Sequence, residues 1–265
     1  MKFFDIHTHF DYLSQDLDLS ISQLIEQSKR SHVERILVVA ISAKNFDNVT
    51  ACNRVEPNHV VYGLGLHPLY IAEHKYSDLD LLEQRLSIRD KYCTAIAEIG
   101  LEKAVESVAT AEMWKKQCEF LEAQLAFAKR FNLPVNLHSR KSHDALAPFL
   151  RKAQLTRTGV VHGFAGSYEQ AKRFVDLGYK IGVGGTITYQ RANKTREAIR
   201  KLPLESLLLE TDSPDMPVFG FQGEPNRPER IKVSFDSLCE LRSESPELIA
   251  ETIWQTSEKL FWLKA

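Results

Sequence analysis

Eight short apolar runs, separated by longer segments of helical periodicity, are the feature that most limits how this chain can fold. The runs are Phe3–Ile6, Arg35–Val39, Val60–Leu64, Thr94–Ile99, Pro134–Leu137, Gly159–Val161, Lys180–Val183 and Leu207–Leu209. They are short and rich in Val, Ile and Leu, as parallel strands covered on both faces require. Between them, Ser20–Arg30 places Ile21, Leu24 and Ile25 on one helical face. Ala111–Phe131 does the same with Trp114, Cys118, Leu121, Leu125 and Ala128. Asp78–Arg89, Ser142–Lys152, Tyr168–Leu177 and Lys194–Lys201 fit the same role, and Pro228–Arg242 and Pro246–Phe261 finish the chain. Gly178 closes one helix, and Pro134 opens the strand after another.

This alternation predicts an α/β fold, a single (β/α)₈ TIM barrel spanning residues 1–265 as one domain. The length of 265 residues suits such a barrel. An open doubly wound sheet is the runner-up, but the segment after the first strand, HTHFDYL, is not the glycine-rich phosphate turn such sheets carry. No internal repeat, low-complexity segment or linker divides the chain. The Pro- and Gly-rich loop Asp212–Pro228 is long enough to predict a functional role.

Charge and composition narrow the partners. With 34 basic against 35 acidic residues, net charge is -1, so nothing global favours a polyanion. Long duplex DNA, which needs many cationic contacts, is disfavoured on that ground. Cys52, Cys93, Cys118 and Cys239 are scattered without CxxC spacing, as for reduced thiols of a cytoplasmic protein. The N-terminus lacks the apolar core of a signal peptide, and no apolar stretch is long enough to cross a bilayer. No membrane partner and no obligate protein partner are expected.

Six polar residues fall at the C-terminal ends of these strands, where barrel active sites sit. His7 and His9 lie two apart on the first strand, so their imidazoles project to one side and can share a cation. Glu98 interrupts an apolar strand and needs a cation or donors to offset its desolvation; with two oxygens it can bridge two ions. His138 and His162 each end a strand, though either alone reads as a core histidine bonded to a carbonyl. Asp212 ends the eighth strand as candidate ligand and proton acceptor, with Glu210 on the same face behind it. Four imidazoles and two carboxylates suffice for two divalent ions with positions open to water and substrate. His67 and Arg140 also lie near strand ends. His67 is a candidate substrate contact or a turn stabiliser; Arg140 is a phosphate-gripping guanidinium or a rim ion pair. His32, His59, His74 and His143 read as surface residues, and the basic run Arg191–Arg200 as a solvated helix face.

The motifs HTH, GLHP, AEIGLE, LHSR, HGFAG and LETDSP occur in the order seen in the TatD family of metal-dependent hydrolases, within the amidohydrolase-like (β/α)₈ group. RTGVVHGFAGS, LGYKIGVGGTITY, LPLESLLLETDSPDMP and GFQGEPNRPE resemble its YjjV-type branch, so the likeness covers essentially the whole chain. The resemblance implies metal ligation by His7, His9, Glu98, His138, His162 and Asp212, with Glu98 linking an ion held by His7 and His9 to one held by His138 and His162 (Zn, Mn or Mg). It also implies deoxyribonuclease-like cleavage of phosphodiester bonds, and the near-neutral charge leaves DNA ends, short single strands or small phosphoesters open as substrates. The family's usual GEIGLD reads Ala97-Glu98-Ile99-Gly100-Leu101-Glu102 here, with Glu in place of the final Asp. Three rivals stay open: an amidohydrolase-type C–N or ester hydrolase using the same metals, a trinuclear phosphoesterase of the PHP type, and a metal-binding protein without turnover.

Overall fold

A computed structural model describes residues 1–262, so the last three positions of the expected 1–265 domain lie outside the described residues. Eight parallel strands follow one another in sequence order around one sheet: β1 (Phe3–Thr8), β2 (Val33–Val39), β3 (Val60–Leu64), β4 (Cys93–Glu102), β5 (Val135–Arg140), β6 (Gly159–Val161), β7 (Lys180–Val183) and β8 (Leu207–Leu209). Helices fill the crossovers, giving the (β/α)₈ barrel. Closure between β8 and β1 runs through the residues just past both strands' apolar parts. Asp212 N–H donates to His7 O at 2.9 Å, and His9 N–H donates to Ser213 O at 2.7 Å. The Asp5 carboxylate adds a side-chain clasp, accepting from Thr211 N–H at 2.9 Å and Thr211 Oγ1 at 2.5 Å.

Strand periodicity divides the apolar residues between two cores. Phe4, Ile6, Leu37, Val39, Ala97 and Leu208 point inward and pack the barrel, with Trp254 and Phe261 of the last helix in the same cluster. Phe3, Ile36, Val38, Ile99 and Leu137 point outward under the helix ring. Four strands, β1, β2, β4 and β5, differ in their bounds from the expected runs; β4 and β5 run three residues further toward the mouth than their apolar stretches. In β4 the register shifts between Ala97 and Ile99, and Glu98 sits at φ 59°. That irregularity turns the Glu98 side chain out of the strand's alternation.

Helix starts follow side-chain caps. Ser20 and Ser167 form capping boxes with Gln23 and Gln170, and Thr110 caps the helix Ala111–Phe131. Two helices, Phe10–Leu17 and Phe46–Val55, occupy what the sequence reading left as connections. The first is only eight residues long, and the second is rich in Asn, Thr and Val, poor helix formers. Their buried faces, Phe10 with Leu13 and Phe46 with Val49, hold them to the barrel.

Three histidines read as surface residues are buried: His59, His74 and His143; His32 is exposed as expected. Neighbouring residues gave no apolar pattern to place them, but each ring is enclosed. Burial, together with the charge of Lys29, pushes His59 down to about 4. As pH falls from about 6.5 to about 4, the unfolded chain takes up a proton that folded His59 refuses, so stability drops by roughly 1.4 kcal/mol per unit at most. Urea denaturation across this window is expected to show a shallower acid loss for His59→Gln than for the parent chain.

Candidate metal centre at the barrel mouth

The C-terminal ends of β1, β4, β5, β6 and β8 bring His7, His9, Glu98, His138, His162 and Asp212 to one place, with His67 just past β3. Six of these seven line a cavity of about 720 Å³, together with Arg140; His7 lies beneath it, fully buried. Glu98 is the centre. Its Oε1 lies 2.7 Å from His7 Nε2 and 3.0 Å from His162 Nε2, and its Oε2 lies 2.5 Å from His67 Nε2. Asp212 Oδ1 stands 3.4 Å from His7 Nε2 and 3.6 Å from His9 Nε2. Both carboxylates come from residues with positive φ, 59° at Glu98 and 57° at Asp212. Such backbone costs of order 1–3 kcal/mol and clusters where side-chain aim matters more than stability.

Outer hydrogen bonds decide which ring nitrogens are free. Asn136 Nδ2 donates to Ile6 O at 2.9 Å, so its amide oxygen is what faces His7 Nδ1, also at 2.9 Å. That oxygen can only accept, so His7 carries its proton on Nδ1. His9 Nδ1 likewise faces the carbonyl of Val39 at 3.2 Å. Both rings therefore aim an unprotonated Nε2 at the cluster, as metal-ligating imidazoles do. His67 is the opposite case. Leu69 N–H donates to its Nδ1 at 2.9 Å, so neutral His67 keeps its proton on Nε2.

Burial and the neighbouring histidines hold His67 and His162 well below the usual histidine range. Burial alone would raise the Asp212 carboxyl, but the His9, His7 and His162 rings around it outweigh that and hold it low. Beneath the cluster the balance reverses. Burial pushes Asp5 up to about 7 and Glu210 up to about 8. Glu210 accepts from Gly163 N–H and fits only because β7 has a glycine opposite it; a Cβ at Gly182 would lie 2.3 Å from Glu210 Oε2.

A divalent cation fits this donor set. His7 Nε2 and both ring nitrogens of His162 are buried without a hydrogen-bond partner. The unprotonated His7 nitrogen and Glu98 Oε1 present lone pairs to each other at 2.7 Å, which repel unless a cation lies between them. Donors held at ~2.0–2.2 Å by one ion lie roughly 3 Å apart, close to the separations here. Donor atoms of His7, His9, Glu98 and Asp212 all lie within 4.8 Å of one another, and so do those of His67, Glu98 and His138. Glu98 belongs to both groups.

The arrangement differs from expectation in one respect. The sequence reading paired His138 with His162 across Glu98. Here His162 stacks on His7, ring centroids 3.7 Å apart and 12° from parallel, while His138 lies 4.2 Å from the His67 ring. His138 Nε2 is held 3.1 Å from Glu102 Oε2, so the longer side chain of Glu102 reaches the ring itself. Arg140 is exposed on the cavity rim and forms no ion pair among the described residues. Several supporting residues escaped the sequence reading. Asn136 shares the face of His138 on β5 by period two, a signal that was available. His74 Nε2 binds the His67 carbonyl at 2.9 Å, and His143 links Ser139 Oγ at 2.7 Å to Ala165 O at 3.1 Å. Nothing in their local sequence marks those contacts.

Comparison with known proteins agrees with this architecture. The family model for TatD related DNases matches residues 4–262. An uncharacterized metal-dependent hydrolase of Haemophilus influenzae is 60% identical over 98% of this chain and 100% of its own. YjjV of Escherichia coli is 47% identical over 98% of both chains, and its crystal structure superposes with a TM-score of 0.93, covering 99% of this chain and 98% of that one. The human deoxyribonuclease TATDN3 is 28% identical over 97% of this chain and 93% of its own. The chain is thus a metal-dependent hydrolase, and it belongs to the TatD family. Among the described residues no helix is long and apolar enough to cross a membrane.

Asn136 fixes the His7 tautomer, so Asn136→Ala is expected to weaken metal binding about 10–100-fold. Isothermal titration of the metal-free protein with Zn²⁺ or Mn²⁺ measures this. An unchanged affinity would show that the outer hydrogen bond does not orient His7.

Proposed function

We propose that this chain cleaves phosphodiester bonds, in short single-stranded DNA or at DNA ends, with two divalent ions (Zn, Mn or Mg). His7, His9, Glu98, Asp212, His138 and His162 would hold them, with Glu98 common to both donor groups, and His162 would have to leave the face of His7 to join His138. The carrying observation is that bare nitrogens and two carboxylates meet beneath a cavity whose rim also presents the Arg140 guanidinium, a group suited to an anion and without an ion pair among the described residues. A neutral amide would leave that guanidinium without a partner. The name of the human relative, a deoxyribonuclease, supports the same substrate class.

Ions bound here would lower the pKa of water and offset charge on the phosphoryl oxygens. The protein's own groups do the rest. Asp212, kept ionised, orients the attacking water and accepts its proton. His67 Nε2–H, which lies 2.5 Å from Glu98 Oε2, turns to a phosphoryl oxygen once that carboxylate is engaged by ions, and Arg140 grips a second one. Asp212→Asn is expected to lower kcat about 10²–10⁴-fold. His67→Leu should raise KM and lower kcat, and His67→Gln, which keeps an N–H donor, should recover part of the loss.

The test is a metal-reconstituted assay on bis-p-nitrophenyl phosphate, p-nitrophenyl phosphate, single-stranded DNA and an amide panel, with His7→Ala as control. Turnover of diesters with two ions per chain by elemental analysis is the expected outcome. Turnover of amides or carboxylic esters alone would replace the proposal with a C–N or ester hydrolase. Three ions per chain would indicate the trinuclear type, and bound metal with no turnover would indicate a non-catalytic protein.

A further inference from the structure

A second cavity, about 370 Å³, opens beside the metal centre and shares one wall with it. Met216 lines both. The loop after β8 connects them directly: Asp212 sits in the cluster, Pro214 and Asp215 line the first cavity, and Pro217 lines the second. Met216 lies four positions after Asp212, a span of at most ~14 Å. The side cavity is therefore close enough to hold a unit of the same substrate.

Its lining has a definite chemistry. Tyr189 forms one side, with the Arg191 guanidinium 5.2 Å above its ring. Phe219 meets Tyr189 edge-on at 5.8 Å and is 63% exposed. This exposure belongs to a fixed backbone. Phe219 N–H donates to Thr188 Oγ1 at 2.8 Å, and Tyr189 OH donates to Pro217 O at 2.7 Å. No acidic residue lines the cavity. In the neighbouring basic helix, Arg200 and Lys201 pair with Glu197, and Arg196 binds the Ile187 carbonyl. Arg191 and Lys194 remain exposed and without an ion pair among the described residues.

A further cavity of about 310 Å³ adjoins Tyr12 and Tyr70; there Lys44 is bound to Glu73, and Lys75 and Asp78 lie beside them. Its lining carries acidic groups, which the Arg191 cavity lacks.

We infer that the cavity lined by Tyr189 and Arg191, with the exposed Phe219 ring beside it against Tyr189, is a subsite for the nucleotide next to the scissile phosphodiester of a single-stranded oligodeoxynucleotide. This rests on the phosphodiesterase reading above. The exposed ring of Phe219 stacks with the base, Tyr189 backs it, and Arg191 pairs with the flanking phosphate. Sequence-tolerant binding of a strand follows, because every base has a π face. The subsite also explains how a chain of net charge -1 can hold a polyanion: the needed charge is local.

The test compares Phe219→Ala and Arg191→Ala with the parent protein, all loaded with the same metal. Two substrates are used: bis-p-nitrophenyl phosphate, which has no neighbouring nucleotide, and a six-nucleotide single strand. Each variant is expected to lose about tenfold in kcat/KM on the oligonucleotide and to stay within about twofold on the small diester. Binding of a fluorescent hexanucleotide, followed by anisotropy against salt, gives a second readout. Arg191→Ala should flatten the log–log salt slope by about 0.7, and Phe219→Ala should leave it unchanged. Unaltered oligonucleotide cleavage and binding, or equal losses on both substrates, would overturn the subsite while leaving the phosphodiesterase reading intact. If the parent protein hydrolyses neither diester, the reading fails and the subsite with it.

Discussion

The Glu98 carboxylate lies in the barrel mouth at 1% exposure, within 3.0 Å of imidazole nitrogens of His7, His67 and His162. Taking such a group out of water costs several kcal/mol unless positive charge or donors replace the solvent. The surrounding rings are only partial replacements, since His7 turns a lone pair toward it and burial keeps His67 and His162 neutral. Much of the fold serves this one demand. β4 shifts register to aim Glu98, β1 and β6 supply rings on one side, and the turn after β3 supplies a third on the other. A cation answers the unmet part, so ion binding and the integrity of the mouth are one thermodynamic problem.

The barrel separates that problem from its own stability. Phe4, Ile6, Leu37 and Leu208 fill the interior below the site, with Trp254 and Phe261 in the same cluster. Between this apolar plug and the cluster lies a polar layer of Asp5, Thr211 and Glu210. Asp5 is fully buried, yet it is satisfied by three donors from β1 and the β8 end, which lets a carboxylate serve as a fastener. Glu210 occupies space made by Gly182 and Gly184 and reaches Gly163 beside His162. The site is thus supported from underneath by groups that never face the cavity.

Much of this was readable in the residues. Runs such as Val60–Leu64 and Leu207–Leu209 became strands with unchanged bounds because apolar runs closed by polar or glycine residues have little freedom. The strand-end polar residues were legible for a related reason: Glu98 and Asp212 interrupt apolar stretches, and the eightfold alternation says where those interruptions meet. What stayed hidden depends on contacts between distant segments. The helix Phe46–Val55 has weak propensity and is held by its buried face. His74 and His143 are polar residues in polar surroundings, and only the folded chain shows that they pin the His67 carbonyl and the β5–β6 loops. The tautomer of His67 turns on one backbone N–H, at Leu69, and the stacking of His162 on His7 on the spacing of two strands; no local pattern encodes either.

The seam between β1 and β8 has a temporal side. His7 and His9 leave the ribosome about two hundred residues before their carbonyl and amide partners, Asp212 and Ser213. Asp5 waits equally long for Thr211. During synthesis the first strand therefore remains an unpaired edge on one side, and the metal ligands cannot assemble in a partial chain. A nascent hydrolase built this way is inert until the eighth strand arrives, at the cost of a long-range pairing that slows folding and leaves β1 exposed meanwhile.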